Sequence, residues 1–232
     1  MEIPLFLAMT AGEFRRAEQL PEHPAWMACH FSAYGTGLSN LPGKLPAGSM
    51  LMLNDRTPIS GHAPELVAQQ LCAAAEAFSC DCILLDFQRG GSTELAPVIT
   101  TVLEKAPCPV GVSSLYAGDF NCPVLLPPVP PHVPLADALA PWQDRELWLE
   151  VTAEGTEITV TPEGSRYTPL PFYLPPETAH REEELHCHYE ITVAENKISF
   201  RLGRTEADQN ALLAAAHACQ ITRGVGLWQE YR

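Results

Sequence analysis

Apolar and polar positions alternate in two different rhythms along this chain. In the first half, short apolar bursts at residues 3–9, 26–31, 50–53, 82–85 and 109–115 stand apart from longer segments of helical period. Continuous apolar runs of four to seven residues predict strands buried on both faces. The intervening segments predict helices: residues 13–20, stopped by Pro21, then 64–78 and 93–105. The second of these carries Pro64 and Glu65 at its start and Leu66, Gln69, Gln70, Ala73 and Ala77 at helical spacing. Strand–helix alternation of this regularity predicts a parallel sheet or a barrel.

The rhythm changes after residue 121. Pro123-Val124-Leu125-Leu126 is strand-like and runs into Pro127-Pro128-Val129-Pro130-Pro131. That tract predicts a rigid loop or a polyproline II segment, an SH3-type ligand being the lesser alternative. Residues 146–152 and 157–161 alternate apolar with polar around Ala153-Glu154-Gly155-Thr156, which predicts a hairpin. After a proline-rich, partly acidic stretch at 167–184, residues 188–193 and 197–202 predict a second hairpin around Glu195-Asn196. A helix at 207–219 and a glycine-rich strand at 224–231 return the chain to α/β character. The expected architecture is a single α/β domain over residues 1–232, a short or incomplete (β/α)8 TIM-like barrel with late β-hairpin insertions at about residues 123–204. The chain has 232 residues, where about 250 is typical of a full barrel, so some elements must be abbreviated.

Charge narrows the partners. With 28 acidic and 14 basic residues the net charge is −14, against the cationic face that nucleic acid or an anionic membrane requires. No apolar run reaches membrane-spanning length, and the N-terminal residues lack a basic leader, so a cytoplasmic protein is expected. The eight cysteines are scattered without a zinc or disulfide-scaffold spacing and read as buried thiols. Neither a metal nor a cofactor is expected: Gly90-Gly91 is no phosphate-binding loop, and there is no serine nucleophile elbow.

The chemistry gathers at Cys80-Asp81-Cys82-Ile83-Leu84-Leu85-Asp86-Phe87-Gln88-Arg89-Gly90-Gly91. Asp86 and Gln88 follow a buried strand two residues apart, so both face the same side at the C-terminal end, where α/β barrels carry their sites. This stretch resembles the fourth-strand signature of glycoside hydrolase family 18, the chitinase-like barrels, which reads D-x-x-D-x-D-x-E. Asp81 takes the first acidic position and Asp86 the third, whereas Leu84 replaces the middle aspartate and Gln88 replaces the glutamic acid. In that family the glutamic acid protonates the leaving glycosidic oxygen and the substrate's own N-acetyl group is the nucleophile. A glutamine has no ionisable proton to give. The ending is similar too, since such barrels often close with a helix and a strand bearing a tryptophan that floors a sugar subsite. Trp228 stands there, as a sugar platform or as ordinary core. The family's tyrosine-bearing sixth strand is not visible, the proline tract standing in its place.

Three functions follow from the resemblance and the residues. A silenced glycosidase site would bind an oligosaccharide, or a protein, through Asp55, Asp86, Gln88, Tyr116, Trp228 and Glu230. An active hydrolase would need other carboxylates, such as Asp55, Asp119 or Glu230, with a pair about 6.5–9.5 Å apart for inverting chemistry. A structural or interaction protein would keep Asp86 and Gln88 as satisfied interior groups. His186 and His188, expected to share one face of a strand, were the remaining pair with metal-ligand character, though exposed hairpin residues are the commoner case.

Overall fold

The computed structural model describes residues 5–17, 22–32, 37–39, 41–57, 59, 62–89, 95–152, 155–171, 173–218 and 222–228. The chain divides into two compact units, one holding the barrel and the other taking in Pro128–Asp144 and Val151–Thr222. In chain order the second unit interrupts the first twice, between the barrel's sixth and seventh strands and between its seventh strand and its last.

The apolar bursts of the first half are barrel strands: β1 (Leu5–Thr10), β2 (Ala25–His30), β3 (Met50–Asn54), β4 (Cys82–Asp86) and β5 (Val110–Ser113). Helices α1 (Ala11–Arg16), α2 (Pro64–Ala77), α3 (Leu95–Lys105) and α4 (Ser114–Ala117) alternate with them. Helix α1 starts two residues earlier than its period predicts because Thr10 and Glu13 form a capping box. The Thr10 hydroxyl accepts the Glu13 N–H at 3.2 Å, and the Glu13 carboxylate accepts the Thr10 N–H at 2.6 Å.

Three more strands complete the closed barrel: β6 (Val124–Leu126), β7 (Leu147–Val151) and β13 (Thr222–Trp228). The strand-like stretch at 123–126 is the sixth strand, three residues long, immediately before the proline tract. One expectation needs correction: residues 146–152 are not half of a hairpin. They form a barrel strand parallel to β6, with Leu147 paired to Val124. The alternation of Leu147 to Val151 reports a strand correctly but does not identify its partner, and every residue of it is buried.

In the barrel, side chains of even and odd positions take opposite faces. Ala8, Trp26, Ala28, Met50, Met52, Cys82, Leu84, Leu125 and Trp148 fill the interior. Leu51, Leu53, Ile83 and Leu85 lie on the other face of β3 and β4 and are fully buried as well, which is why these strands are apolar throughout. Trp26 and Trp148 meet edge to face at 5.9 Å between centroids, with Phe6 about equally close to both. Room for these rings comes from glycines on facing strands. A Cβ on Gly226 would collide with the Trp26 indole, and one on Gly224 would lie 2.6 Å from Trp148 and 2.7 Å from Phe6.

The second unit contains α5 (Leu135–Leu139), α6 (Glu206–Ala218) and a five-stranded antiparallel sheet. Its strands are β8 (Gly155–Thr161), β9 (Gly164–Leu170), β10 (His180–Glu182), β11 (Cys187–Ala194) and β12 (Lys197–Gly203), in the order β10-β11-β12-β8-β9. The β11–β12 hairpin falls where its alternation predicts. The other hairpin is β8–β9, turning at Pro162-Glu163. The proline tract belongs to this unit's fold: buried Arg204 donates from Nη1 to the Val129 carbonyl at 2.6 Å and from Nε to the His186 carbonyl at 3.2 Å. An SH3-type ligand would need that tract free.

Gly226→Ala should therefore force the Trp26 ring out of place and cost about 1–3 kcal/mol or more, as overpacking does. Chemical denaturation measures it, and an unchanged midpoint would contradict the packing described.

Candidate functional site

The inward positions of the strands turn polar at their C-terminal ends. Register pairs His30 with Asn54 and Asn54 with Asp86, side by side across β2, β3 and β4. Asp86, the last residue of β4, is only 8% exposed. Gln88 lies two residues on, and its side-chain amide donates to Asp86 Oδ1 at 2.8 Å. Burial pushes the Asp86 carboxyl up to about 6; the Gln88 hydrogen bond opposes that rise, and the nearby charge of Asp55 adds to it. A buried carboxyl that stays partly protonated near neutrality results, held to a neutral amide.

Asp55 and Tyr116 act on the backbone that carries Gln88. The buried Asp55 carboxylate accepts the Gln88 N–H at 3.2 Å and the Arg89 N–H at 2.9 Å, one on each oxygen. The Tyr116 hydroxyl donates to the Arg89 carbonyl at 2.6 Å, and its ring meets Phe87 edge-on with centroids 6.3 Å apart. The Arg89 guanidinium in turn donates to the Arg56 carbonyl at 2.8 Å. The segment after β4 is thus gripped from the end of β3 and from α4, which fixes where the Gln88 side chain points. Both residues are near the site, in roles that sequence alone does not distinguish from ligand contact.

Trp228 packs partly buried against the barrel's interior cluster. Its indole N–H donates to Glu150 Oε2 at 2.7 Å. Glu150, 3% exposed on β7, is the residue that sequence reasoning missed. The signal was its place two residues after Trp148 on the same strand face, hidden while that segment was read as a hairpin. The bond separates Trp228 from Trp26 and Trp148, whose buried indole N–H groups have no acceptor among the described residues. Glu230 lies outside the described residues, and Asp119 is exposed at the end of the turn after α4.

The histidine pair does not share a strand face. His186 sits in the turn before β11 with φ of 48°, and only His188 is on the strand. The latter meets buried Asp208 at 2.7 Å, the same carboxylate oxygen that accepts the Thr205 N–H and hydroxyl. Among the described residues no cluster of three His, Cys, Asp or Glu has metal-binding geometry. Cys80 and Cys82 are buried, and desolvation pushes both up to about 12, which keeps them as thiols.

No family model matches the sequence, and no curated relative matches it significantly. The architecture does match solved structures. The spore cortex-lytic enzyme SleL of Bacillus cereus superposes with a TM-score of 0.58 at 10% identity, over 98% of this chain and 71% of that one. SleL of Bacillus megaterium QM B1551 gives 0.60 at 10% identity, over 98% and 70%. A chitinase from Chromobacterium violaceum ATCC 12472 gives 0.57 at 11% identity, over 97% and 93%. The fold is a closed TIM-like barrel, as in these structures. At such identities the likeness concerns architecture alone. Among the described residues no helix is long and apolar enough to cross a membrane.

The acidity of Asp86 is directly testable. Its folded value, about 6, lies above the ordinary 3.8, so folding favours the protonated form. That contribution is present in full below about pH 4 and is lost as pH rises through 6. Asp86→Asn keeps an acceptor for Gln88 but removes the titration. The stability of the native protein relative to this variant should fall by roughly 2 kcal/mol between pH 4 and pH 7. Parallel pH–stability curves for the two proteins would contradict the assignment.

Proposed function

We propose that the C-terminal mouth of the barrel binds a carbohydrate of the N-acetylated amino-sugar class without hydrolysing it. The observation that carries this reading is the Gln88 side chain. In the resemblance to the chitinase-like signature it stands where the acid would be, and it donates its amide to Asp86 at 2.8 Å. An amide bound in this way orients polar atoms at the rim but has no proton to deliver to a leaving oxygen. Trp228, tied by its N–H to Glu150, supplies a fixed aromatic surface for the apolar face of a sugar ring. Asp55 and Tyr116 hold the Gln88–Arg89 backbone, so the rim is organised before any ligand arrives. The chitinase and cortex-lytic names of the structural neighbours support a glycan as the ligand class. In domain terms, we read the second unit as an insertion carried by one barrel domain.

One observation favours a second reading, an active glycoside hydrolase. Asp86, raised to about 6, has the acidity of a general acid near neutrality, and Glu150 is a second buried carboxylate on an inward strand end.

Calorimetry with a panel of chito- and other oligosaccharides, beside a reducing-sugar assay, separates these readings. Binding without turnover by the native protein, and turnover raised about 10²–10⁴-fold by Gln88→Glu, is the expected result. Turnover by the native protein that Asp86→Asn abolishes would establish the second reading. Absence of binding across the panel would overturn the first.

A further inference from the structure

Most of the polar side chains around the barrel mouth are already engaged with the protein itself. Both carboxylate oxygens of Asp55 accept backbone N–H groups, the Tyr116 hydroxyl donates to the Arg89 carbonyl, and Glu150 accepts the Trp228 indole N–H. Groups engaged in this way hold the site's shape, and a ligand that used them would first have to break those bonds. Recognition of a polar ligand calls for hydrogen-bonding groups that stand open beside them.

Two such side chains lie in the same row as Asp86. The inward positions of β2 are Trp26 and Ala28, and those of β3 are Met50 and Met52, all in the interior cluster. Alternation brings His30 and Asn54 to the same face, one step nearer the opening. Register sets His30 beside Asn54 and Asn54 beside Asp86. Three polar side chains therefore stand in a row at the strand spacing of about 4.8 Å. His30 and Asn54 are each the one residue of their strand that is not buried, and the apolar positions below them already fill the core. Both are held in place. The His30 carbonyl accepts the Ser39 N–H at 2.9 Å, and Asn54 Oδ1 accepts the Arg56 N–H at 3.1 Å. The latter bond occupies the Asn54 oxygen and leaves its NH2 group as a donor. Neither that group nor the His30 ring nitrogens have a hydrogen-bond partner among the described residues.

We infer that His30 and Asn54 bind the hydroxyl groups of the sugar at the mouth, an inference that rests on the glycan reading above. A sugar hydroxyl both donates and accepts. It can take a hydrogen from the Asn54 amide and give its own to an imidazole nitrogen or to the Asp86 carboxyl. Trp228 offers a surface to the apolar face of a sugar ring but does not fix how that ring is turned. The row on β2, β3 and β4 supplies that orientation. Asp55 and Tyr116 are then positioning residues, acting through the Gln88–Arg89 backbone.

Calorimetry of the full chain with the N-acetylglucosamine tetrasaccharide tests the inference. His30→Leu removes both ring nitrogens and Asn54→Ala removes the amide. Each should weaken binding roughly 10-fold while leaving the chemical-denaturation midpoint close to the native one. In the native protein, the His30 ring signals followed by NMR should shift as the tetrasaccharide saturates. Native binding that both variants keep at full affinity, or that leaves the His30 ring signals unmoved, would overturn the inference and leave the glycan reading standing. Failure of the native protein to bind any sugar would overturn that reading, and this inference with it.

Discussion

Closing eight parallel strands into a barrel creates an interior that the chain's own side chains must fill, at the density of an organic solid. This short chain meets that demand with a few large rings. Trp26, Trp148 and Phe6 occupy one level of the barrel, and Gly224 and Gly226 on β13 supply the space. Leu84 and Trp148 likewise lie within about 3 Å of where a Cβ on Gly111 would stand. Large residues on some strands are matched by absent side chains on others. The mouth rests on that plug, because the next inward positions toward the C-terminal ends include Asp86 and Glu150.

Carboxyl groups at such depth are costly unless they are satisfied from within. Asp86 takes the Gln88 amide, and Glu150 takes the Trp228 indole. Asp55 spends both oxygens on backbone N–H groups. Each bond satisfies a buried group and also fixes another: the Gln88 amide, the Trp228 ring and the Gln88–Arg89 backbone. Stability and pre-organisation of the site are the same set of contacts. A glutamine at position 88 fits this network, since a glutamic acid there would put a second ionisable group beside a carboxyl that burial already holds partly protonated.

Strands buried on both faces announce themselves as unbroken apolar runs, so β1 to β5 and the helices between them were legible within a few residues. The β6 strand was harder, because three residues ahead of a proline tract leave almost no period to read. With β7 the strand was legible and its neighbour was not: alternation is a local property, whereas pairing depends on residues far away in sequence. That misplacement concealed Glu150, the acceptor for Trp228. Asp55 and Tyr116 are conspicuous in the sequence as polar residues at strand ends. Their work on the Gln88–Arg89 backbone depends on bonds spanning 27 to 34 residues, which no local pattern encodes.

The proposed ligand would sit at the barrel mouth, at Gln88 and Trp228. The decisive experiment titrates the isotope-labelled protein with a chito-oligosaccharide while following the Gln88 side-chain amide and the Trp228 indole N–H by NMR. Both signals should shift together and saturate with the same affinity. Saturable binding that moves neither signal would contradict it.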